Sequence, residues 1–242
     1  MIDDLYLGAY WRPRKESTEK CAERLLVCLN ELAKGSEVFA SWYDKARSKR
    51  DGKTRELELS RPVHLWPQEK VVQLLEMGRN RRDLDKSVIE ELGYHVSLWN
   101  WGEPNRAISP MRSAKLDVHC GVYAEGGNYV VVDFPEDPDD LIEKEWALQA
   151  LVAVVRAWEP DWAGIVSRAS RSTRPFTPGS PFVDWMIYLN RLDIAPSQLP
   201  SSASVVKVDG QGSIIITQDV PVDANDQSQV QNVRAVEAVI PV

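Results

Sequence analysis

The side chains able to act as nucleophiles, bases or metal ligands are few and scattered. Histidine occurs at His64, His95 and His119, and cysteine at Cys21, Cys28 and Cys120. None of these forms a paired metal-ligand spacing such as CxxC or HExxH, and no phosphate-loop glycine pattern occurs. His119 and Cys120 are neighbours on an expected strand. They project to opposite faces and cannot work together as base and nucleophile. Gly179-Ser180-Pro181 lacks the second glycine of a nucleophile elbow. The expectation is no catalytic residue, no metal and no cofactor. The competing enzyme reading is a small cytosolic hydrolase that uses Cys120, with His95 as a distant partner, or a pair of carboxylates.

Charge and aromatic content are more distinctive. Asp133, Glu136, Asp137, Asp139, Asp140, Glu143 and Glu145 crowd one short stretch, with only Lys144 opposing them. Acids gather where a helix begins, because the amino end of the helix dipole is positive. A concentration beyond what capping needs also makes a surface that a basic partner can recognise. Two basic clusters, Lys45–Arg55 and Arg79, Arg81, Arg82 and Lys86, read as solvated surface on a chain of net charge −7. The same net charge argues against direct nucleic-acid binding. Nine tryptophans are many for 242 residues. Most belong to a core with their indole N–H groups bonded. Trp42 and Trp66 fall in loop-like sequence and are the candidates for contact anchors.

The elements that must position these groups follow from periodicity. Leu116, Val118, Cys120, Val122 and Ala124 alternate with polar or small residues, which predicts a half-buried strand. Gly126-Gly127-Asn128 supplies a tight turn, and Tyr129–Phe134 returns as a β-branched strand. Asp137 and Pro138 fit the cap and first position of a helix running through Trp146–Trp158. Only Gln149 and Arg156 interrupt that last apolar stretch, so the helix must be covered on nearly all sides, here by the hairpin before it. Pro160 ends it.

Elsewhere, Ile2–Tyr10 predicts a strand and Glu19–Lys34 an amphipathic helix closed by Gly35. Residues 45–55 predict an exposed hairpin or loop turning at Asp51-Gly52. Pro67–Leu75 predicts a short helix, and Leu84, Val88, Ile89 and Leu92 another. Tyr94–Trp101 and Val183–Leu189 predict strands, and Ser167–Pro181 a long irregular loop. Asp209-Gly210-Gln211-Gly212 predicts a hairpin turn. The tail, with Asp223 as cap and Val230, Val233, Val236 and Ile240 in helical spacing, predicts a final helix. The class is α+β: a single domain over 1–242, mainly antiparallel sheet with helices packed on it, with a Pro/Ser stretch at 195–204 as a candidate linker.

An apolar fraction of 43% is ordinary for a globular chain. No secretory leader or membrane-length apolar run occurs, and three unpaired cysteines suit a reducing compartment, so a cytoplasmic location is expected.

Four motifs carry a resemblance: Tyr6-Leu7-Gly8-Ala9-Tyr10-Trp11, Leu98-Trp99-Asn100-Trp101-Gly102, Trp158-Glu159-Pro160-Asp161-Trp162, and Asp184-Trp185-Met186-Ile187-Tyr188-Leu189. In order and spacing they resemble the bacterial polymorphic-toxin immunity proteins numbered fifty-two in that series, over nearly the whole chain. The resemblance implies an α+β antitoxin that binds a cognate secreted toxin stoichiometrically. It further implies a toxin of the restriction-endonuclease-fold nuclease class, delivered by type VI secretion, and it assigns no catalytic residue. The toxin-binding residues expected from the sequence are Asp133, Glu136, Asp137, Asp139, Asp140 and Glu143, with Trp42 and Trp66. Self-association into a homodimer is left open, and a protein-binding adaptor is a third alternative.

Overall fold

A computed structural model describes residues 5–35, 37–100, 114–135, 142–175, 177 and 179–240. Its described strands are β1 (Leu5–Trp11), β2 (Tyr94–Trp99), β3 (Lys115–Cys120), β4 (Asn128–Asp133), β5 (Trp162–Ser167), β6 (Met186–Asn190), β7 (Ser204–Val208) and β8 (Gly212–Ile216). Its described helices are α1 (Thr18–Gly35), α2 (Lys49–Thr54), α3 (Glu56–Leu59), α4 (Gln68–Met77), α5 (Lys144–Trp158), α6 (Arg168–Thr173) and α7 (Gln227–Glu237). The class is α+β, as expected, and every strand pairing set out below is antiparallel. The backbone separates into two compact units, one of Met1–Tyr10 with Phe134–Val242 and one of Trp11–Asp133.

In the Trp11–Asp133 unit, β3 is the middle strand, with Val96 opposite Val118 and Val118 opposite Val130. Alternation along the three strands is strict. Tyr94, Val96, Leu98, Leu116, Val118, Cys120, Val130 and Val132 are buried, and the residues between them are not. The turn between β3 and β4 uses Gly126 and Gly127 at φ of 121° and 70°, as the sequence predicts. The buried Asn128 side chain fastens it. Its Oδ1 accepts from the Val122 N–H at 2.8 Å, and its Nδ2 donates to the Arg12 carbonyl at 3.0 Å.

Helix α1 buries Cys21, Ala22, Leu25, Cys28, Leu29 and Leu32 along one stripe and packs against α4. A polar knot joins α1, α4 and β2. Glu76 accepts from the Thr18 hydroxyl at 2.5 Å and from Arg79 at 2.9 Å, and the Tyr94 hydroxyl lies 2.8 Å from that of Thr18.

Two segments of this unit differ from expectation. Residues 45–48 are irregular, but Lys49–Thr54 form the helix α2 in place of a hairpin or loop, and the Ser48 hydroxyl caps it by accepting from the Asp51 N–H at 3.1 Å. Of the basic run, Arg55 is tied down, reaching Asp44 at 2.6 Å and Glu58 at 3.2 Å. Residues 79–89 form a short ribbon rather than a helix. Arg81 bridges Val88, and the Arg82 N–H donates to the Ser87 carbonyl at 2.9 Å. Asp85 accepts from the Ser87 N–H at 3.0 Å, a local turn that competes with helix. Leu84, placed on an apolar helix face by its spacing, sits fully exposed at the tip.

The other unit holds a five-stranded sheet in the order β1-β5-β6-β8-β7. Gly8 lies opposite Gly164, Ile187 opposite both Gly164 and Ile215, and Val205 opposite Ile215. Every residue of β5 is buried, so both of its faces are covered. The helix α5 packs on it and buries Ala147, Ala150, Leu151, Ala153, Val154, Val155, Ala157 and Trp158. Glu159 closes α5 in the left-handed conformation at φ 50°, its N–H donating to the Val155 carbonyl at 2.9 Å. The expected cap Asp137 falls outside the described residues. The described helix begins at Lys144, and Glu143, at the cap position, makes no side-chain capping bond.

The stretch predicted as an irregular loop contains α6, capped by the Ser167 hydroxyl, which accepts from the Ser170 N–H at 3.2 Å. The Pro/Ser stretch 195–204 runs from β6 to β7 inside this one unit and carries a single helical turn, Pro196–Gln198. The tail helix α7 is capped by Asp226 rather than Asp223 and buries Val233 and Val236.

Candidate interaction surface

The positions expected to meet a partner are distributed unevenly. Glu136, Asp137, Asp139 and Asp140 lie outside the described residues. Glu143 is exposed ahead of α5. Asp133 ends β4 half-buried, opposite Lys115 on β3. Trp42 and Trp66 are loop-borne, as the sequence suggests, but they point inward. Trp42 is fully buried and stacks on Phe39 with ring centroids 5.9 Å apart. Trp66 is 7% exposed, donates its indole N–H to the Arg61 carbonyl at 3.1 Å, and lies beneath the Arg55 guanidinium. Both rings pack their own unit, and neither is presented to a partner in this conformation.

The surface that the unit does present is the other side of β2-β3-β4. His95, Ser97 and Trp99 from β2, Lys115, Asp117 and His119 from β3, and Tyr129, Val131 and Asp133 from β4 share that face by strand alternation. All of them are at least partly exposed. Cross-strand pairing sets their neighbours: His95 stands opposite His119, and His119 opposite Tyr129. The His95 and His119 rings meet edge-on at 6.1 Å, and those of His119 and Tyr129 at 5.3 Å. Asp117 is held by the Ser97 hydroxyl and the Lys115 ammonium, with His95 Nε2 3.9 Å away.

At the edge of this face, Tyr43 and Trp99 exchange backbone hydrogen bonds of 2.7 and 3.0 Å. That pairing places Lys45 over the Trp99 ring, its Nζ 3.5 Å from the centroid, while the Lys115 Nζ lies 5.6 Å from the same centroid. Burial and then the nearby Lys115 charge lower the pKa of Lys45. Beside Trp99 opens a cavity of about 320 Å³, lined by Asp44, Lys45, Ala46, Arg47, Gly78, His95, Val96, Ser97 and Trp99.

The thiol considered as a nucleophile is not placed to act as one. Cys120 is fully buried, and burial followed by the adjacent Cys21 pushes its thiol well above the ordinary range. A reactive thiolate needs the opposite environment. The pKa of His119 is lowered by burial, and its Nε2 lies 3.0 Å from the Leu92 carbonyl. Among the described residues, no cluster of three or more His, Cys, Asp or Glu side chains could hold a metal ion.

Among the described residues of the other unit, Asp184 has a strongly raised pKa. Asp184, wholly buried, accepts from the Ser167 N–H at 2.7 Å. Its other oxygen is 3.8 Å from Arg174, which pairs with Glu237 at 3.1 Å. Burial raises the Asp184 pKa to about 6. It borders a cavity of about 150 Å³ between α6 and α7. Nothing in the sequence singles out Asp184 as buried except its place in the apolar stretch around Trp185.

The sequence profile of a family described as immunity protein 52 matches residues 3–240. A solved structure described as a Pseudomonas aeruginosa T6SS protein is similar in fold, with a TM-score of 0.54 and 14% identity. The likeness covers 98% of this chain and 76% of that one. No curated protein matches the sequence.

Proposed function

We propose, because the chain belongs to the immunity protein 52 family, that it neutralises a cognate toxin by binding it stoichiometrically and blocking its action, without turnover of its own. The family match across residues 3–240 carries this reading. The toxin is a nuclease delivered by type VI secretion, and neutralisation takes place in the cytoplasm. A fold neighbour described as a T6SS protein agrees with that route of delivery. No described helix is long and apolar enough to cross a membrane.

Co-expression with the product of the adjacent gene is the direct experiment. The wild-type chain restores growth and co-purifies with the toxin, and Cys120→Ala does the same despite some loss of stability. Growth arrest with the wild type would remove the immunity reading. Loss of protection in a Cys120→Ala protein of unchanged fold and stability would favour the hydrolase instead.

Within this reading, the acidic stretch from Asp133 to Glu143 docks on the basic groove that a nuclease needs for its polyanionic substrate. Glu143 is exposed and makes no capping bond, so the helix has little need of its charge. The double substitution Glu136→Lys with Glu143→Lys therefore leaves the thermal midpoint nearly unchanged. It slows toxin association at low salt, and the difference shrinks as salt screens the charges. Stopped-flow rates equal to wild type at low ionic strength would eliminate this stretch as a docking site.

A further inference from the structure

We infer that the open face of β2-β3-β4 is a toxin contact, and that the cavity beside Trp99 receives a carboxylate side chain from the toxin. The inference rests on the immunity reading above and names a surface within it.

The face is built, not incidental. Three strands present four ring-bearing side chains, His95, Trp99, His119 and Tyr129, on one side of a sheet whose other side is core. Aromatic rings on a rigid strand platform supply large contact area at small entropic cost, and tryptophan and tyrosine are enriched among residues that dominate binding energy. Trp99 is half-exposed, unlike the buried Trp42 and Trp66, and its backbone is fixed on both sides, to β3 and to Tyr43.

The charge pattern selects the ligand. Two ammonium groups, those of Lys45 and Lys115, lie over one tryptophan ring. Arg47 adds a further cation to the cavity wall. The acids present are already engaged: Asp44 with Arg55 at 2.6 Å and Arg47 at 3.7 Å, and Asp117 with Lys115 and Ser97. An incoming carboxylate relieves the repulsion between Lys45 and Lys115 and gains a charge-assisted hydrogen bond from Lys45. An incoming cation would meet the two lysines. Burial first and Lys115 second lower the pKa of Lys45, and a bound anion would offset the second of these.

The test uses the full chain and a catalytically inactive form of the toxin that it neutralises in co-expression, with affinity measured by calorimetry at low salt. Lys45→Glu and Trp99→Ala each weaken binding by at least about tenfold, the effect of losing a central contact. Lys45→Arg stays within a few-fold of wild type. Lys45 is exposed, so its substitution should leave the thermal midpoint intact and separates lost contact from lost fold. Wild-type binding with undiminished binding by Lys45→Glu and Trp99→Ala overturns this surface and leaves the immunity reading standing. Absence of wild-type binding overturns the immunity reading itself.

Discussion

Leu151→Ala is expected to lower the unfolding free energy by about 2–5 kcal/mol, the range for emptying a fully enclosed leucine site. Leu151 is wholly buried on α5, among Ala147, Val154 and Val155. Urea unfolding measures the loss directly. A midpoint shifted by less than the equivalent of about 1 kcal/mol would mean that the site collapses or that α5 is peripheral to stability. Protection in cells should weaken in proportion, because a destabilised chain is cleared faster even when its binding surface is intact.

The second large effect concerns pH. Asp184 titrates near 6 in the folded chain against an ordinary 3.8. The folded state therefore holds a proton through the interval in which the unfolded chain has lost it. Its contribution to stability is fully present below about pH 4 and is lost as pH rises through 6, a change of about 3 kcal/mol by pH 7. Asp184→Asn removes the titration while keeping the shape. Relative to wild type, it should gain stability between pH 4.5 and pH 7, since an amide loses nothing as the pH rises. Denaturant unfolding at those two pH values gives the comparison. An identical pH dependence in both proteins would show that Asp184 does not titrate in this interval. Arg174 can keep its pairing with Glu237 in the variant, which limits the cost of leaving a buried guanidinium without the carboxylate.

The parts legible in the sequence were those in which local pattern and tertiary demand agree. The alternation from Leu116 to Cys120 survives in β3 because one face is core and the other is open. The apolar stretch that became α5 could be stable only if enclosed, and it is. The misread segments are short and polar, where a single side-chain bond decides. Ser48 three residues before Asp51 is a helix-start signal, but Gly52 obscures it, and the helix forms through the Ser48 cap. Leu84, Val88, Ile89 and Leu92 have helical spacing, yet the Asp85–Ser87 turn folds the segment back on itself.

For the candidate surface, strand alternation places His95, Ser97 and Trp99 on one side without any structure. What it does not reveal is Lys45 above Trp99, a contact between residues far apart in the chain and made possible by the Tyr43 pairing. The burial of Trp42 and Trp66 was likewise hidden. Loop sequence marks absence of regular structure, not exposure, and both rings fill space between helices and turns.

The pairing of β1 with β5 bears on how the protein is made. Tyr10 lies opposite Trp162, 152 positions later (162 − 10), and Leu5 lies opposite Ser167. A ribosome working at ~5–20 residues per second leaves roughly 8–30 s between the appearance of the first strand and that of its partner. The Trp11–Asp133 segment, compact by itself, has that interval in which to close. Meanwhile the edge of Leu-Tyr-Leu-Gly-Ala-Tyr-Trp that β5 will cover stays open, the kind of edge that invites association with other chains. Nascent chains arrested before residue 162 should accordingly be a target for chaperones. A cell that depends on this protein is then shielded only by the copies whose translation has passed Ser167.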